Sequence, residues 1–211
     1  ATWELVGEAP APARLEVRPL LAFRDHHALR LPDAPCDPSV VREDGAFLLR
    51  PAPGLPALRL AHDAASDAET FFWYRGLEYD LDRARGFEYA EDLLSPVSLS
   101  WDLSARPSAT LVATLGERGP ADVPELRAAE EKRRWRVEGA SSDRRLLRLL
   151  RAAADRFVVR RGEGWTIVAG YPWFTDWGRD AMIALPGLLL ATHRFDAARS
   201  VLETFARHVD R

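Results

Sequence analysis

Three residue types are almost missing from the sequence. It contains one cysteine, Cys36, one methionine, Met182, and one lysine, Lys132. A single cysteine excludes a disulfide within the chain and is compatible with a reducing compartment, so the cytoplasm is the expected location. The basic charge is therefore carried almost entirely by arginine.

Other absences narrow the classes of partner and cofactor. The sequence has no run of about eighteen apolar residues, so no membrane partner is expected. Its formal net charge of -3 and pI near 6 give no sign of a nucleic-acid surface. No phosphate-binding glycine loop, dinucleotide fingerprint or metal-ligand cluster is visible, so no cofactor and no metal are expected. His26 and His27 are interpreted as a solvated loop pair, because no further ligands stand at suitable spacing.

The apolar pattern divides the 211 residues into a β-rich part and a helical part. In residues 1–118, apolar and charged residues alternate at 15–20 and at 87–90, and Gly and Pro separate short runs. This pattern predicts an antiparallel β-sandwich. Residues 119–142 are rich in Glu, Arg and Ala, which predicts a polar helical linker. Residues 143–211 have apolar spacings of three and four, which predicts a helical domain.

Within that helical part, several boundaries are predicted. A helix with a leucine-rich stripe is expected to begin at Ser142 or Asp143. Residues 158–164 are interpreted as a turn that leads into an extended segment. A later helix is expected to begin at Ala181 and to kink or restart at Pro186, because proline cannot continue the backbone hydrogen-bond ladder.

The densest group of chemically active side chains lies in residues 170–180, GYPWFTDWGRD. Aromatic faces stack on the apolar faces of sugar rings, while carboxylate and guanidinium groups bond the hydroxyls at the ring edge. This composition predicts a carbohydrate site. The candidate substrate-binding residues are Trp173, Phe174, Asp176, Trp177, Arg179 and Asp180.

A purely structural interpretation of the same residues stays open. The aromatic side chains could belong to a core, and Asp180 could serve only as the N-cap of the following helix. A second aromatic run, residues 71–74, could also bind sugar. We favour packing there, because strand aromatics more often cover a sheet.

Two stretches of the sequence resemble a known family. Residues 171–192, YPWFTDWGRDAMIALPGLLLAT, resemble the entry to the catalytic domain of bacterial and archaeal glycogen debranching enzymes of the amylo-α-1,6-glucosidase type. Residues 71–103, FFWYRGLEYDLDRARGFEYAEDLLSPVSLSWDL, are similar to the N-terminal domain of the same proteins. The resemblance implies that residues 143–211 are the first helices of an (α/α)6 toroid of the six-hairpin glycosidase type. The chain is therefore expected to be a truncated piece of a longer enzyme.

The resemblance also implies an activity, the hydrolysis of α-1,6-linked glucose at branch points of glycogen or branched maltodextrin. An inverting glycosidase needs an acid and a base roughly 6.5–9.5 Å apart on opposite sides of the sugar. Asp176 and Asp180 lie four residues apart in one loop and are poorly placed as such a pair. The resemblance implies that the acid and base lie beyond Arg211, so the catalytic residues are unassigned. The chain alone is expected to be inactive.

Two alternative functions remain from the sequence. One is another α-glucosidase built on a helical toroid, similar to glucoamylase or trehalase. The other is a glucan-binding module without catalytic activity.

Overall fold

A computed structural model describes residues 1–8, 12–25, 27–30, 39–50, 54–139 and 145–207. The chain divides into two compact units, Ala1–Pro124 and Glu125–Arg211. His26, Cys36 and the predicted helix start at Ser142 or Asp143 lie outside the described residues.

The first unit consists of antiparallel strands. They are β1 Thr2–Glu4, β2 Arg14–Val17, β3 Ser39–Glu43, β4 Ala46–Arg50, β5 Leu58–His62, β6 Ser66–Glu78, β7 Ala90–Asp102 and β8 Ser108–Thr114. They form one sheet in the order β1-β8-β5-β4-β3 and a second in the order β2-β7-β6. A short helix, α1 Asp80–Ala84, joins β6 to β7, and a 3-10 turn, Pro120–Asp122, follows β8.

The two sheets share one hydrophobic core. Phe47 and Leu60 enter it from the five-stranded sheet, and Val97, Leu99 and Trp101 enter it from β7. Alternate residues of β4 pair across to β5 in register, so their apolar side chains reach the same side. The prediction that an antiparallel β-rich unit precedes helices is confirmed.

One predicted strand is wrong. Residue 87 is a bend and residues 88 and 89 have no regular structure, so β7 begins only at Ala90. Gly86 has φ 76°, a left-handed conformation that suits glycine, and it ends α1. The Phe87 N–H then bonds the carbonyl of Asp82, which closes the turn and overrides the period-two pattern.

A buried carboxylate, Glu91, ties β7 to the chain before β3. Its side chain is 0% exposed and accepts both Nε (2.7 Å) and Nη2 (2.8 Å) of Arg24. It also accepts the backbone N–H of Arg30 at 3.0 Å and the hydroxyl of Tyr79. Burial alone would raise the pKa of Glu91, but the bonds from Arg24, Tyr79 and Arg30 outweigh it and lower the pKa to about 2.

The lowered pKa of Glu91 predicts how stability depends on pH. The ionised form stabilises the fold above the ordinary value of 4.5, and this contribution is lost as the pH falls towards 2. Its size is about 3 kcal/mol. We expect Glu91→Gln to lower the free energy of unfolding by about that amount at neutral pH and to flatten its acid dependence. Urea unfolding of the chain, followed by circular dichroism across this pH range, measures both.

The matched control is Glu69→Gln, because Glu69 is an exposed carboxylate on the neighbouring strand β6. Its stability at each pH should follow that of the unchanged chain. An acid slope in Glu91→Gln as steep as in the unchanged chain would contradict the assignment.

The second unit combines helices with one hairpin. Its elements are α2 Val123–Glu138, which begins just before the boundary, α3 Arg145–Asp155, β9 Val158–Arg161, β10 Gly164–Ile167, α4 Gly178–Leu185, a π-helical turn Pro186–Leu190, and α5 Phe195–Ala206. The core of this unit is built from the hairpin, α4, the π-helical turn and α5: Val158, Ile167, Ala181, Leu185, Leu189, Ala197, Ala198 and Val201.

The hairpin packs closely against α5 because Gly164 has no side chain. A Cβ at this position would lie 2.9 Å from Oγ of Ser200 and 3.4 Å from Oγ1 of Thr204. The next residue, Trp165, donates its N–H to the same Ser200 hydroxyl at 3.0 Å. The glycine therefore lets the strand reach a polar contact on the helix.

Two predicted boundaries in this unit are corrected. The turn predicted at 158–164 is a β-hairpin, β9–β10, in which Gly162 occupies a turn position with φ 56°. The helix predicted from Ala181 begins at Gly178, so Asp180 lies inside its first turn, and Trp177 holds the N-cap position.

The predicted break at Pro186 is confirmed. Proline has no N–H to donate to the preceding turn, and the chain continues as one π-helical turn.

The leucine stripe of α3 is exposed, with Leu146 at 67% and Leu149 at 57%. The toroid itself stays a prediction. No helix in the described part of the chain has the length and apolar character needed to span a membrane.

Candidate functional site

The loop between β10 and α4 closes on itself. The Ala169 N–H donates to the carbonyl of Thr175 at 2.8 Å, and the Phe174 N–H donates to the carbonyl of Gly170 at 2.9 Å. Gly170 lies next to the ring of Phe174, since a Cβ at this position would be 3.4 Å from it. The Tyr171–Pro172 peptide bond is cis.

The carboxylate of Asp176 attaches this loop to the hairpin. Its Oδ2 accepts the Thr166 hydroxyl at 2.8 Å and an N–H of the Arg161 guanidinium. The Asp176 side chain is 16% exposed. Its Oδ1 accepts no hydrogen bond from the residues that the structure describes. One of the two carboxylates predicted to bind substrate is therefore partly engaged in holding the loop.

Two exposed aromatic rings lie side by side on the loop. Phe174 and Trp177 are 47% and 53% exposed. Their ring centroids are 6.1 Å apart at an interplanar angle of 81°, an edge-to-face contact. Trp173 is half-buried, and Tyr171 donates its hydroxyl to the carbonyl of Arg156 at 3.1 Å. We call Phe174 and Trp177 the aromatic pair.

Arg179 and Asp180 lie in the first turn of α4. Arg179 is 80% exposed, and its Nε is 3.9 Å from Oδ2 of Asp180, which is too far for a hydrogen bond. That oxygen is shielded from solvent, yet it accepts no hydrogen bond from the described residues. Asp180 does not cap α4, since the helix starts before it and has no side-chain cap bond.

The structure thus separates five of the six predicted site residues into groups. Phe174 and Trp177 touch, Arg179 and Asp180 are neighbours on α4, and Asp176 points to the hairpin. Trp177 and Asp180 are three residues apart at the start of the helix, which brings their side chains to one side.

Sequence reasoning missed Arg161 and Thr166, the two partners of Asp176. The signal that could have found them is the pair of apolar runs on either side of Gly162, which is typical of a hairpin. Gly178 is a further missed position. A Cβ there would lie 3.4 Å from the ring of Phe205, so α4 starts in contact with α5.

No three His, Cys, Asp or Glu residues in the described ranges are grouped so that they could hold a metal ion.

Flat rings beside carboxylates and a guanidinium group are the side chains typical of a carbohydrate-binding protein. Comparison with protein-family models agrees with that class. Residues 1–110 match the family described as glycogen debranching enzyme N terminal, and residues 152–211 match amylo-alpha-1,6-glucosidase. The first match covers more than half of the 211 residues. The chain belongs to the glycogen debranching enzyme family. No curated protein and no solved structure shows significant similarity to it.

The attachment of Asp176 can be tested by removing one of its donors. Thr166→Val keeps the shape of the side chain but deletes the hydroxyl that bonds Asp176, and the stability cost should be about 1 kcal/mol. We expect faster hydrogen exchange at the Ala169 and Phe174 amides, because the loop loses one of its links to β10. Exchange followed by NMR measures this change directly.

Thr175→Val is the control, because Thr175 lies in the same loop and is exposed. It should leave both amides as protected as in the unchanged chain. Unchanged protection in Thr166→Val would show that the bond to Asp176 does not hold the loop.

Proposed function

We propose that the chain binds the glucose unit joined by an α-1,6 bond at a branch point of glycogen or branched maltodextrin, and that this site serves hydrolysis of that bond. The observation that carries the proposal is the exposed aromatic pair, which is followed in the first turn of α4 by the exposed guanidinium of Arg179 and the partly exposed carboxylate of Asp180. Aromatic faces stack on a sugar ring, and the two charged groups can bond its hydroxyls.

The aromatic pair supplies an apolar surface for the sugar ring. Trp177 and Phe174 present their rings at a steep angle to each other, so a ring that stacks on one meets the edge of the other. Trp173 is proposed to shape the same site from its half-buried position.

The hydroxyls of the glucose unit are proposed to bond Arg179 and Asp180. Arg179 is exposed and has several N–H donors, while the Asp180 carboxylate accepts. Hydrogen bonds to charged groups contribute about 1.5–3 kcal/mol each. Asp176 is proposed to contribute through its Oδ1, while its Oδ2 holds the loop in place.

The acid and base of hydrolysis are proposed to lie outside this sequence. Asp176 and Asp180 belong to one loop and the helix turn after it, so they approach a sugar from one side. An inverting mechanism needs carboxylates on both sides, roughly 6.5–9.5 Å apart. The Oδ2 of Asp176 is also bonded by Arg161 and Thr166, so this oxygen is engaged in holding the loop. The chain by itself is therefore proposed to bind glucan without hydrolysing it.

Binding by the aromatic pair predicts the effect of Trp177→Ala. We expect this change to weaken binding to branched maltodextrin about tenfold, because the stacking surface is lost. Affinity electrophoresis of the chain in gels that contain the glucan measures the shift.

Trp135→Ala is the matched control, since Trp135 is 69% exposed on α2 and has no part in the loop. It should migrate like the unchanged chain. Equal losses in the two variants would overturn the site, and glucose released by the chain itself would overturn the placement of the acid and base.

The role of Asp180 is tested in an enzyme that carries this sequence together with its acid and base. As a ligand of the glucose hydroxyls, Asp180→Asn should lower turnover by roughly 10–100-fold on branched dextrin and on α-glucosyl fluoride alike. The fluoride leaving group needs little protonation, so it spares an enzyme that lacks only its acid.

Asp196→Asn serves as the control, because Asp196 is an exposed acidic residue in the first turn of α5. Its turnover should be unchanged on both substrates. If Asp180→Asn failed on the dextrin but remained near normal on the fluoride, Asp180 would be the acid and the ligand assignment would be wrong.

A further inference from the structure

The second unit contains a cleft of about 480 Å³ that is separate from the loop site. It lies between the ends of α2 and α3, the start of β9, and the chain around the π-helical turn. Its lining residues all belong to the unit that begins at Glu125.

The charge of the cleft is strongly positive. Four arginines and one aspartate are the charged residues among the described residues that line it. Glu130, one turn before the cleft, pairs with Arg133 at 2.7 Å. Arginines therefore outnumber carboxylates among the described residues that line the cleft.

Asp155 organises two of these arginines. Its carboxylate accepts Nη1 of Arg194 at 2.8 Å and the Nη1 of Arg133, and it is 15% exposed. Arg194 also lies over the ring of Trp165, with its guanidinium carbon 5.7 Å from the ring centroid. These contacts hold two guanidinium groups at the cleft in defined orientations.

The other two arginines come from adjacent helix ends. Arg151 of α3 donates from Nη1 to the carbonyl of Glu138, the last residue of α2, at 3.2 Å. Arg136 lies three residues after Arg133, so the two share a face of α2. The Arg136 side chain is exposed and forms no ion pair with any residue in the described ranges.

We propose that this cleft binds the phosphomonoester of a small polar metabolite about the size of a hexose. Guanidinium groups bond phosphate oxygens in pairs, and the four that line the cleft suit a phosphomonoester, which carries about two negative charges at neutral pH. Phosphate alone would leave most of the cleft empty, because volumes of about 300–1,000 Å³ are typical of sites for larger organic ligands. Leu188 and Val158 give the organic part an apolar wall.

The cleft and the loop site meet at one strand. Trp165 lines the cleft, and the next residue of β10, Thr166, bonds Asp176 of the loop. The cleft shares no residue with the proposed glucan site, so this inference goes beyond the proposed function and does not depend on it.

Isothermal titration calorimetry of the chain with glucose 6-phosphate, inorganic phosphate and glucose tests the proposal. We expect saturable binding of glucose 6-phosphate and binding of inorganic phosphate that is weaker by about tenfold; any binding of glucose belongs to the loop site and should be unchanged in Arg136→Gln. Arg136→Gln should weaken the binding of glucose 6-phosphate by roughly tenfold, because it removes a charged donor from the cleft.

Arg134→Gln is the matched control. Arg134 is an exposed arginine on the same helix that pairs with Glu130 and does not line the cleft. It should change the affinity by less than about twofold. Absence of saturable binding of glucose 6-phosphate would overturn the proposal, as would equal losses in the two variants. Inorganic phosphate that bound as tightly as glucose 6-phosphate would overturn the recognition of a hexose-sized ester.

Discussion

The attachment of Asp176 to the β9–β10 hairpin is the contact on which the candidate site depends. One carboxylate oxygen accepts both Thr166 and Arg161, so the loop that carries the aromatic pair is tied to a strand packed in the core. The strand also packs closely against α5, because Gly164 has no side chain that would separate them. The exposed rings therefore belong to a loop with a defined shape, which reduces the entropy lost when a ligand binds.

Arginine has the same structural role at several places in the chain. Arg24 bonds Glu91 with two nitrogens, Arg194 bonds Asp155, and Arg161 bonds Asp176. A planar guanidinium group has five donors in a fixed arrangement, so it can bond a carboxylate with two nitrogens or bond one group while stacking on a ring. Lysine could supply the charge but not this geometry. In a sequence with almost no lysine, these three carboxylates are paired with arginine.

The order of elements was predictable because apolar periods are local properties. The switch from period two to spacings of three and four marks the change from strands to helices, and the break at Pro186 follows from its missing N–H. The strand predicted at 87–90 does not form over residues 87–89, and the reason lies in the backbone and not in the side-chain pattern. The Phe87 N–H is used by the turn after α1, and a pattern of side chains does not show where a backbone donor is used.

Within the candidate site, the sequence by itself determined which side chains are present and that they are close along the chain. The aromatic and acidic character of residues 170–180 and the family of the chain follow from the order of residues alone. Only the tertiary structure decided that Asp176 turns to the hairpin while an oxygen of Asp180 is left without a donor. Both carboxylates have the same chemistry, and their environments differ because Thr166 and Arg161 are brought to one of them by strand pairing, which composition and spacing do not show.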